Sequence, residues 1–290
     1  MKASVVIITY NRSQVIGRCL DSLRGQTVKP DSIIVIDSSN DDKTEKIVKE
    51  YDVAYKHSAR RLYQPQARNL GLKIVETPIV AFGDDDSVFT RDWLRNILLG
   101  YGEKNIAGVC GPIVETSNDL KKVLKQSTPQ IKQIMWGGNM SFVTDKLREV
   151  GGFDDFFSKY DGWGEEGFPS IGLFVRGYRF KYMPKAIVYH VKSYSGGARS
   201  ENRNDILYEK DRGYSDWTIQ CRKHIMDTWF SDFRLKRLRW LAYHITTHYI
   251  SERNGLNYLY SCLFPRKNQI APENISILGY IEAILKTLFL

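Results

Sequence analysis

Three aspartates stand side by side at positions 84–86, directly after the apolar run Ile79-Val80-Ala81-Phe82-Gly83. Adjacent carboxylates repel one another, and a solvated turn needs only one of them, so the cluster calls for a positive partner. Hard divalent cations such as Mg2+ and Mn2+ take oxygen ligands, and magnesium is usually held by one or two carboxylates together with substrate phosphates. Side chains at i and i+2 of a strand end point the same way, so Asp84 and Asp86 can share a cation while Asp85 points aside. The alternative is a helix N-cap at Asp86-Ser87 or a charged loop. That alternative suffices for a single aspartate; three of them after a buried strand favour a metal.

The elements around the acids decide where they sit. "ASVVIITY", "DSIIVIDSS", "VAYKHS" and "PIVAFGDDD" are rich in β-branched and apolar residues, the pattern of strands buried on both faces of a parallel sheet. Between and after them lie helical stretches. "QVIGRCLDSLRGQ" spaces Val15, Ile16, Cys19, Leu20 and Leu23 along one face, with Asn11 to Ser13 available as a cap. "DDKTEKIVKEYD" has an acidic first turn, "QPQARNLGLKIVE" opens near a proline, and "TRDWLRNILLGYG" follows the aspartates. Four strand–helix alternations predict an α/β fold with a Rossmann-like, mostly parallel sheet covered by helices. Beyond them the rhythm changes. "IAGVCGPIVE" reads as one strand, "GGNMSFVT" as a shorter one, and "DKLREVGGFD" as a short helix. A helix is expected from near Glu165, within limits set by Pro169, and then strands at "RFKYMP" and "AIVYHV". "SYSGGARSENRN" reads as a loop, and the pattern from Asn204 onward is helical, broken at Pro265 and Pro272. Residues 1–200 are expected to form the catalytic domain and 201–290 a C-terminal helical extension.

Open parallel sheets bind ligands at the carboxyl ends of their strands. Three polar clusters fall there: Thr9-Tyr10-Asn11-Arg12, Asp37-Ser38-Ser39 and Asp84-Asp85-Asp86. One crevice would hold an aromatic ring, an isolated acid and a dense acid cluster. Arg68 starts a neighbouring helix and can bring a cation to the same place.

The 290 residues are enough for one large domain or a domain with an appendage. The formal net charge of +9 is spread along the chain, with 13 basic and 10 acidic residues from Ser200 onward, so charge selects no particular anionic partner. Cys19, Cys110, Cys221 and Cys262 form no C-x-x-C pair and read as reduced thiols of a cytoplasmic protein. No stretch reaches the ~18 apolar residues of a spanning helix, and the N-terminal apolar run is too short for a signal peptide.

"SVVIITYNR", "IIVIDSSNDD", "QARNLGL", "VAFGDDDSV", "GGNMSF", "VGGFDDFF" and "GWGEEGF" occur in the order seen in family-2 glycosyltransferases. The resemblance covers residues 3 to 190; its strength lies in the order and spacing of the motifs, not in any one of them. It implies a GT-A fold and a nucleotide-sugar-dependent enzyme that uses a divalent cation, Mg2+ or Mn2+. Thr9, Tyr10 and Arg12 would hold the nucleobase, Asp37 the base or ribose, and Arg68 and Asn69 would lie near the nucleotide, with Asp84 and Asp85 also at the donor. Asp84 and Asp86 match the D-x-D pair, Asp86 foremost as the metal ligand, and His190 matches a histidine that completes the metal shell in some members. A packed histidine at a strand end is the competing reading of His190. Inverting transfer needs a carboxylate to take the acceptor proton. The family motif is usually Glu-Asp with the second residue as base; here the pair is Glu165-Glu166, which leaves open which glutamate acts. A helix-dipole role for the pair is also open. Gly138 and Asn139 fall where the family lines the acceptor cleft. Trp163, like Trp136, suits stacking on a sugar ring, against a reading as core.

The tail segment "FRLKRLRWLAYHI" sets Leu235, Leu238, Leu241 and Ile245 among Arg234, Lys236, Arg237 and Arg239. An anionic membrane surface carrying a lipid-linked glycan acceptor would suit it, as would the catalytic domain or a second copy of the chain. Its apolar face argues against nucleic acid. His244 and His248 lack the glutamate of a zinc protease motif. The expected partners are a nucleotide-sugar donor and a glycan or lipid-linked acceptor, and the expected location is cytoplasmic or peripheral to the cytoplasmic membrane. The segment "NRNDILYEKDRGYSDWTIQCRKH" resembles a tail found in bacterial and archaeal members that build surface polysaccharides, including rhamnosyltransferase-like ones. The competing functions are a degenerate sugar-nucleotide-binding protein and a nucleotidyltransferase. The first would have lost both acid clusters, and the second needs a glycine-rich basic phosphate loop that "TYNRSQVIGR" does not supply.

Overall fold

The computed structural model describes residues 1–117, 120, 123–127, 135, 137–160, 164–191, 224–225 and 228–229. Two compact units divide the chain, Met1–Ser200 and Glu201–Leu290, and the account below concerns the first. The loop after Val191, the tail helices, Trp136, Trp163, Cys221 and Cys262 lie outside the described residues.

The opening βαβ rhythm is present. β1 (Ala3–Thr9), β2 (Ser32–Asp37), β3 (Ala54–His57) and β4 (Ile79–Asp84) are joined through α1 (Ser13–Arg24), α2 (Lys43–Val48) and α3 (Gln64–Ile74). All seven residues of β1 are buried, as its unbroken apolar sequence requires. α1 buries Ile16, Cys19, Leu20 and Leu23 on the predicted face. The expected side-chain cap is absent: Arg12 is the N-cap and makes no capping bond. Asn11, at φ 53, instead accepts from the Asn40 backbone N–H at 2.9 Å and gives its own N–H to Ser39 Oγ at 2.8 Å. Asparagine tolerates this left-handed conformation better than most residues, and the two bonds tie the ends of β1 and β2 together.

The chain continues through β5 (Ser87–Phe89), α4 (Trp93–Leu99), β6 (Ile106–Cys110), β7 (Ile113–Thr116), β8 (Val123–Ser127), β9 (Met140–Val143), α5 (Thr144–Glu149), α6 (Gly167–Val175), β10 (Arg179–Tyr182) and β11 (Val188–Val191). The large sheet has the order β10-β6-β9-β4-β1-β2-β3. It is parallel except for β9, which runs antiparallel to both β4 and β6. Strand order reverses at β1 and β4, so their carboxyl ends border the switch-point crevice where such sheets bind ligands. This is the mixed α/β architecture of the GT-A class.

A second sheet, β5-β11-β7-β8, was not legible in advance. "IAGVCGPIVE" is not one strand. It breaks at Gly111-Pro112 into β6 in the large sheet and β7 in the small one. Pro112 has no N–H to offer a ladder, and a side chain on Gly111 would run into the Ala186 carbonyl. The acids are followed by β5, not directly by a helix. Its Phe89 ring lies over Gly83, where a Cβ would sit 2.5 Å from Phe89 Cζ.

Asn139 fastens the two sheets. It is fully buried, accepts from Trp93 Nε1 at 2.8 Å, and donates through Nδ2 to the carbonyls of Pro112 at 3.0 Å and Ala186 at 2.8 Å. The side chain of Asn139, expected at the acceptor cleft, spends its amide inside the protein. Asn69 is spent likewise, its side chain closing both backbone groups of Phe153. Cys19 and Cys110 are buried free thiols. Asn139→Ala is expected to lower stability by roughly 2–4 kcal/mol, because one donor and two acceptors lose their partner. Thermal melting of the full chain checks this; an unchanged melting temperature with a raised acceptor KM would restore the cleft role.

Candidate active site

β4 ends at Asp84, and the turn into β5 carries Asp85 and Asp86. Asp84 and Asp86 keep ligand atoms close to one another, and Asp85 turns aside. Asp85 turns toward β1, where Thr9 Oγ1 donates to its Oδ2 at 2.7 Å and Arg12 Nη1 to its Oδ1 at 3.1 Å. Asp86 turns toward the small sheet, and its Oδ1 lies 3.1 Å from His190 Nε2 on β11. The same Arg12 nitrogen holds Asp86 Oδ2 at 2.7 Å. Burial pushes the Asp85 carboxyl up, and the neighbouring Asp86 charge adds to this against the pull of Arg12. For Asp86, burial is outweighed by His190 and Arg12, so its carboxyl is held below the usual range. Burial lowers the imidazole of His190, and the Asp86 contact more than reverses that.

Asp84, Asp86 and His190 each offer one ligand atom, and these atoms lie within 4.8 Å of one another. Two carboxylates and an imidazole suit a divalent ion of the manganese type, and an all-oxygen shell suits magnesium better. The residues present thus fit the cation that the family implies. Glu115, which sequence reasoning missed, pairs in register with His190 across β7 and β11, and its charge also raises His190. Nothing in "PIVETS" marks it, since only the strand register brings it there.

Arg68 joins this cluster to the second pair of acids. It is 2% exposed, on the buried face of α3. Gly71 on the same face lets α3 close onto Val6 of β1. Arg68 Nη2 donates to Asp84 Oδ1 at 3.4 Å and to the Gly137 carbonyl at 3.3 Å, and Nη1 pairs with Glu165. Burial lowers the guanidinium, with Asp84 and Glu166 acting in the opposite sense. Glu165 is buried, while Glu166 is half-buried at the N-cap of α6. Burial raises the Glu166 carboxyl; Arg68 and the Gly137 backbone oppose this, and Asp84 adds to it. Asp84, Arg68 and the glutamate pair therefore share one neighbourhood. Gly138 belongs to it too: a Cβ there would lie 3.0 Å from Asp84 Oδ2.

The remaining predicted residues line the other side of the strand ends. Tyr10 is half-buried, its hydroxyl 3.3 Å from Asn40 Nδ2, and the Arg61 guanidinium lies 4.8 Å from its ring and 4.9 Å from that of Tyr63. Asp37 is fully buried. Its Oδ1 accepts from the Ser39 N–H and its Oδ2 from the Tyr55 hydroxyl, both at 2.8 Å. Tyr55 and Arg61 escaped the sequence reading because neither stands in a recognisable motif.

Comparison with known proteins adds an independent line. The profile of "Glycosyl transferase family 2" matches residues 4–159. The chain is 23% identical over 217 residues to the O-antigen chain rhamnosyltransferase RfbN of Salmonella typhimurium, covering 67% of this chain and 68% of that one. It is 24% identical over 236 residues to the chondroitin synthase of Escherichia coli, covering 64% of this chain and 34% of that one. It is 30% identical over 99 residues to the glycosyltransferase AglE of Haloferax volcanii, covering 32% and 33%. The chain thus spans about two thirds of the first relative's length and about one third of the other two. The matched profile covers β1 to β9, the aspartate cluster and the helix that carries Arg68, and with the α/β architecture around them it shows that this chain belongs to the family-2 glycosyltransferases.

Proposed function

We propose that this glycosyltransferase moves a hexosyl or deoxyhexosyl group from a nucleoside diphosphate to an acceptor hydroxyl with inversion, and that Glu166 takes the hydroxyl proton. The observation that carries the reading is the position of Arg68. This buried cation contacts Asp84 on one side and Glu165 on the other, so the D-x-D cluster and the Glu165-Glu166 pair are neighbours across one guanidinium. A leaving diphosphate and an incoming alcohol need opposite sides of one anomeric carbon, and two acid clusters held that close together suit that need.

Each residue has a derived task. Thr9, Tyr10 and Asp37, at the ends of β1 and β2, border the nucleotide, Tyr10 through its ring. Asp84, Asp86 and His190 would hold the divalent cation, which when bound neutralises charge developing on the diphosphate. Arg68 fixes the orientation of Asp84 and screens the glutamates from it. Glu166 accepts the acceptor proton as the new carbon–oxygen bond forms; the bond to the diphosphate oxygen breaks, and its electron pair leaves with that oxygen. Burial makes Glu166 a stronger base than a solvated glutamate. Glu165 is tied to Arg68, which favours Glu166 as the base.

Relatives named for an O-antigen chain and for chondroitin support a growing glycan as acceptor. The basic amphipathic segment 233–245 supports a lipid-linked form at an anionic membrane surface. No helix among the described residues is long and apolar enough to cross a membrane.

Transfer assays with a panel of nucleotide sugars, with the product anomer read by NMR, test the reaction; retention of configuration would contradict it. Glu166→Gln is expected to lower kcat by roughly 10²–10⁴ with donor binding intact. Full activity would remove Glu166 from the mechanism. The base must be ionised, so activity falls as pH drops through the raised Glu166 pKa. The acid limb of kcat/KM is therefore expected above the ordinary glutamate value of about 4.3. A limb at or below that value would count against the assignment. His190→Ala is expected to weaken Mn2+ binding more than Mg2+ binding in calorimetry, since imidazole is the donor magnesium uses least. Unchanged Mn2+ affinity would place His190 outside the metal shell.

A further inference from the structure

Arg12 belongs by position to the nucleobase motif, yet its guanidinium faces the acids. One nitrogen, Nη1, touches Asp85 Oδ1 at 3.1 Å and Asp86 Oδ2 at 2.7 Å, and the side chain is only 16% exposed. Of the two oxygens of Asp86, Oδ2 is held by Arg12, while Oδ1 lies 3.1 Å from His190 Nε2 without a hydrogen bond. We propose that Arg12 is the resident counter-ion of the aspartate cluster, and that a divalent cation binds by displacing it from Asp86. The proposal rests on the metal role assigned above to Asp84, Asp86 and His190.

The chemistry of the two partners of Asp86 differs. His190 has a lone pair in its neutral form and can turn from a carboxylate partner into a ligand. Arg12 has five donors, no lone pair and a permanent charge, so it can share neither a ligand oxygen's lone pair nor the ion itself. Coulomb repulsion between a guanidinium and a divalent ion at one carboxylate is worth more than about tenfold in an equilibrium constant even at the effective dielectric of a protein surface. Movement of Arg12 away from Asp86 relieves that repulsion. Arg12 stands just after β1, between Asn11 in the left-handed conformation and the first residue of α1, with a long side chain that has other rotamers to take. Asp85 does not lose its support when Arg12 leaves Asp86, because Thr9 Oγ1 still donates to Oδ2 at 2.7 Å. Without any cation, three adjacent carboxylates would repel one another in a buried site; Arg12 makes the metal-free state tolerable and in doing so competes with the metal.

The test is direct Mn2+ binding to the full chain without donor, by calorimetry and by EPR of free Mn2+, for wild type, Arg12→Met, Arg12→Lys and Asp86→Asn. Arg12→Met is expected to bind Mn2+ about tenfold more tightly than wild type. Arg12→Lys is expected between the two, since an ammonium keeps the charge but sits on a shorter side chain that reaches the pair less fully. Mn2+ is also expected to raise the melting temperature of Arg12→Met more than that of wild type. That readout survives if the variant is unstable without metal. Equal or weaker Mn2+ binding by Arg12→Met overturns the proposal, making Arg12 a brace that organises the acids for the ion. If Arg12→Met does not fold, wild-type affinity in Arg12→Lys overturns it. Asp86→Asn should lose Mn2+ binding; wild-type binding by that variant removes the metal role of Asp86 itself, and the proposal with it.

Discussion

Five carboxylates crowd one end of this sheet, and two arginines and a histidine make that crowding tolerable. Asp84, Asp85, Asp86, Glu165 and Glu166 would repel one another in a buried setting. Arg12 spans Asp85 and Asp86, His190 faces the remaining oxygen of Asp86, and Arg68 stands between Asp84 and Glu165. A buried ion pair is weak evidence for stability, because desolvation consumes much of the Coulombic gain. What such a network does fix is the placement of unlike carboxylates relative to one another. One of them, Glu166, has its carboxyl raised by burial.

The rest of the unit serves that arrangement. The reversal of strand order at β1 and β4 opens the crevice, and α3 is drawn onto β1 through Gly71 so that Arg68 reaches β4 from the side. The small sheet brings His190 in register with Ser87 on β5 and Glu115 on β7, which carries the imidazole to the aspartates from 104 residues further along the chain. Asn139 holds the two sheets together through α4, the Gly111-Pro112 corner and the residue Ala186 that precedes β11. A site assembled from two sheets depends on such a buried fastening, since sub-ångström precision at the acids is lost if the sheets slide.

The sequence was most readable where local pattern and burial coincide. β1, β2 and β4 announce themselves as unbroken apolar runs, and the residues at their ends carry the polar clusters. The α1 face could be read from helical spacing down to Ile16, Cys19, Leu20 and Leu23. What escaped depends on contacts between distant residues. The small sheet is built of strands three to five residues long, too short for periodicity to speak, and one of them was hidden behind Gly111-Pro112 in what read as a continuous strand. Asn139 sits in a motif that suggested a cleft, yet its partners lie 46 residues before it and 27 and 47 residues away on either side, so only the fold shows that its amide is occupied. Asp37 was legible as a strand-end acid, but the Tyr55 hydroxyl that holds it comes from an unremarkable strand. Arg12 was assigned by position to the nucleotide; the charge of its neighbours, a matter of side-chain direction, brings it to the acids.

The most direct test of the proposed pairing of the two acid clusters is a crystal structure with Mn2+ and an intact, non-hydrolysable nucleotide-sugar analogue bound. The account predicts an anomalous manganese peak at Asp84, Asp86 and His190, with the diphosphate beside it and the Glu166 carboxylate on the opposite face of the anomeric carbon. A sugar whose anomeric carbon points away from Glu166, or a diphosphate bound away from the three aspartates, would contradict it.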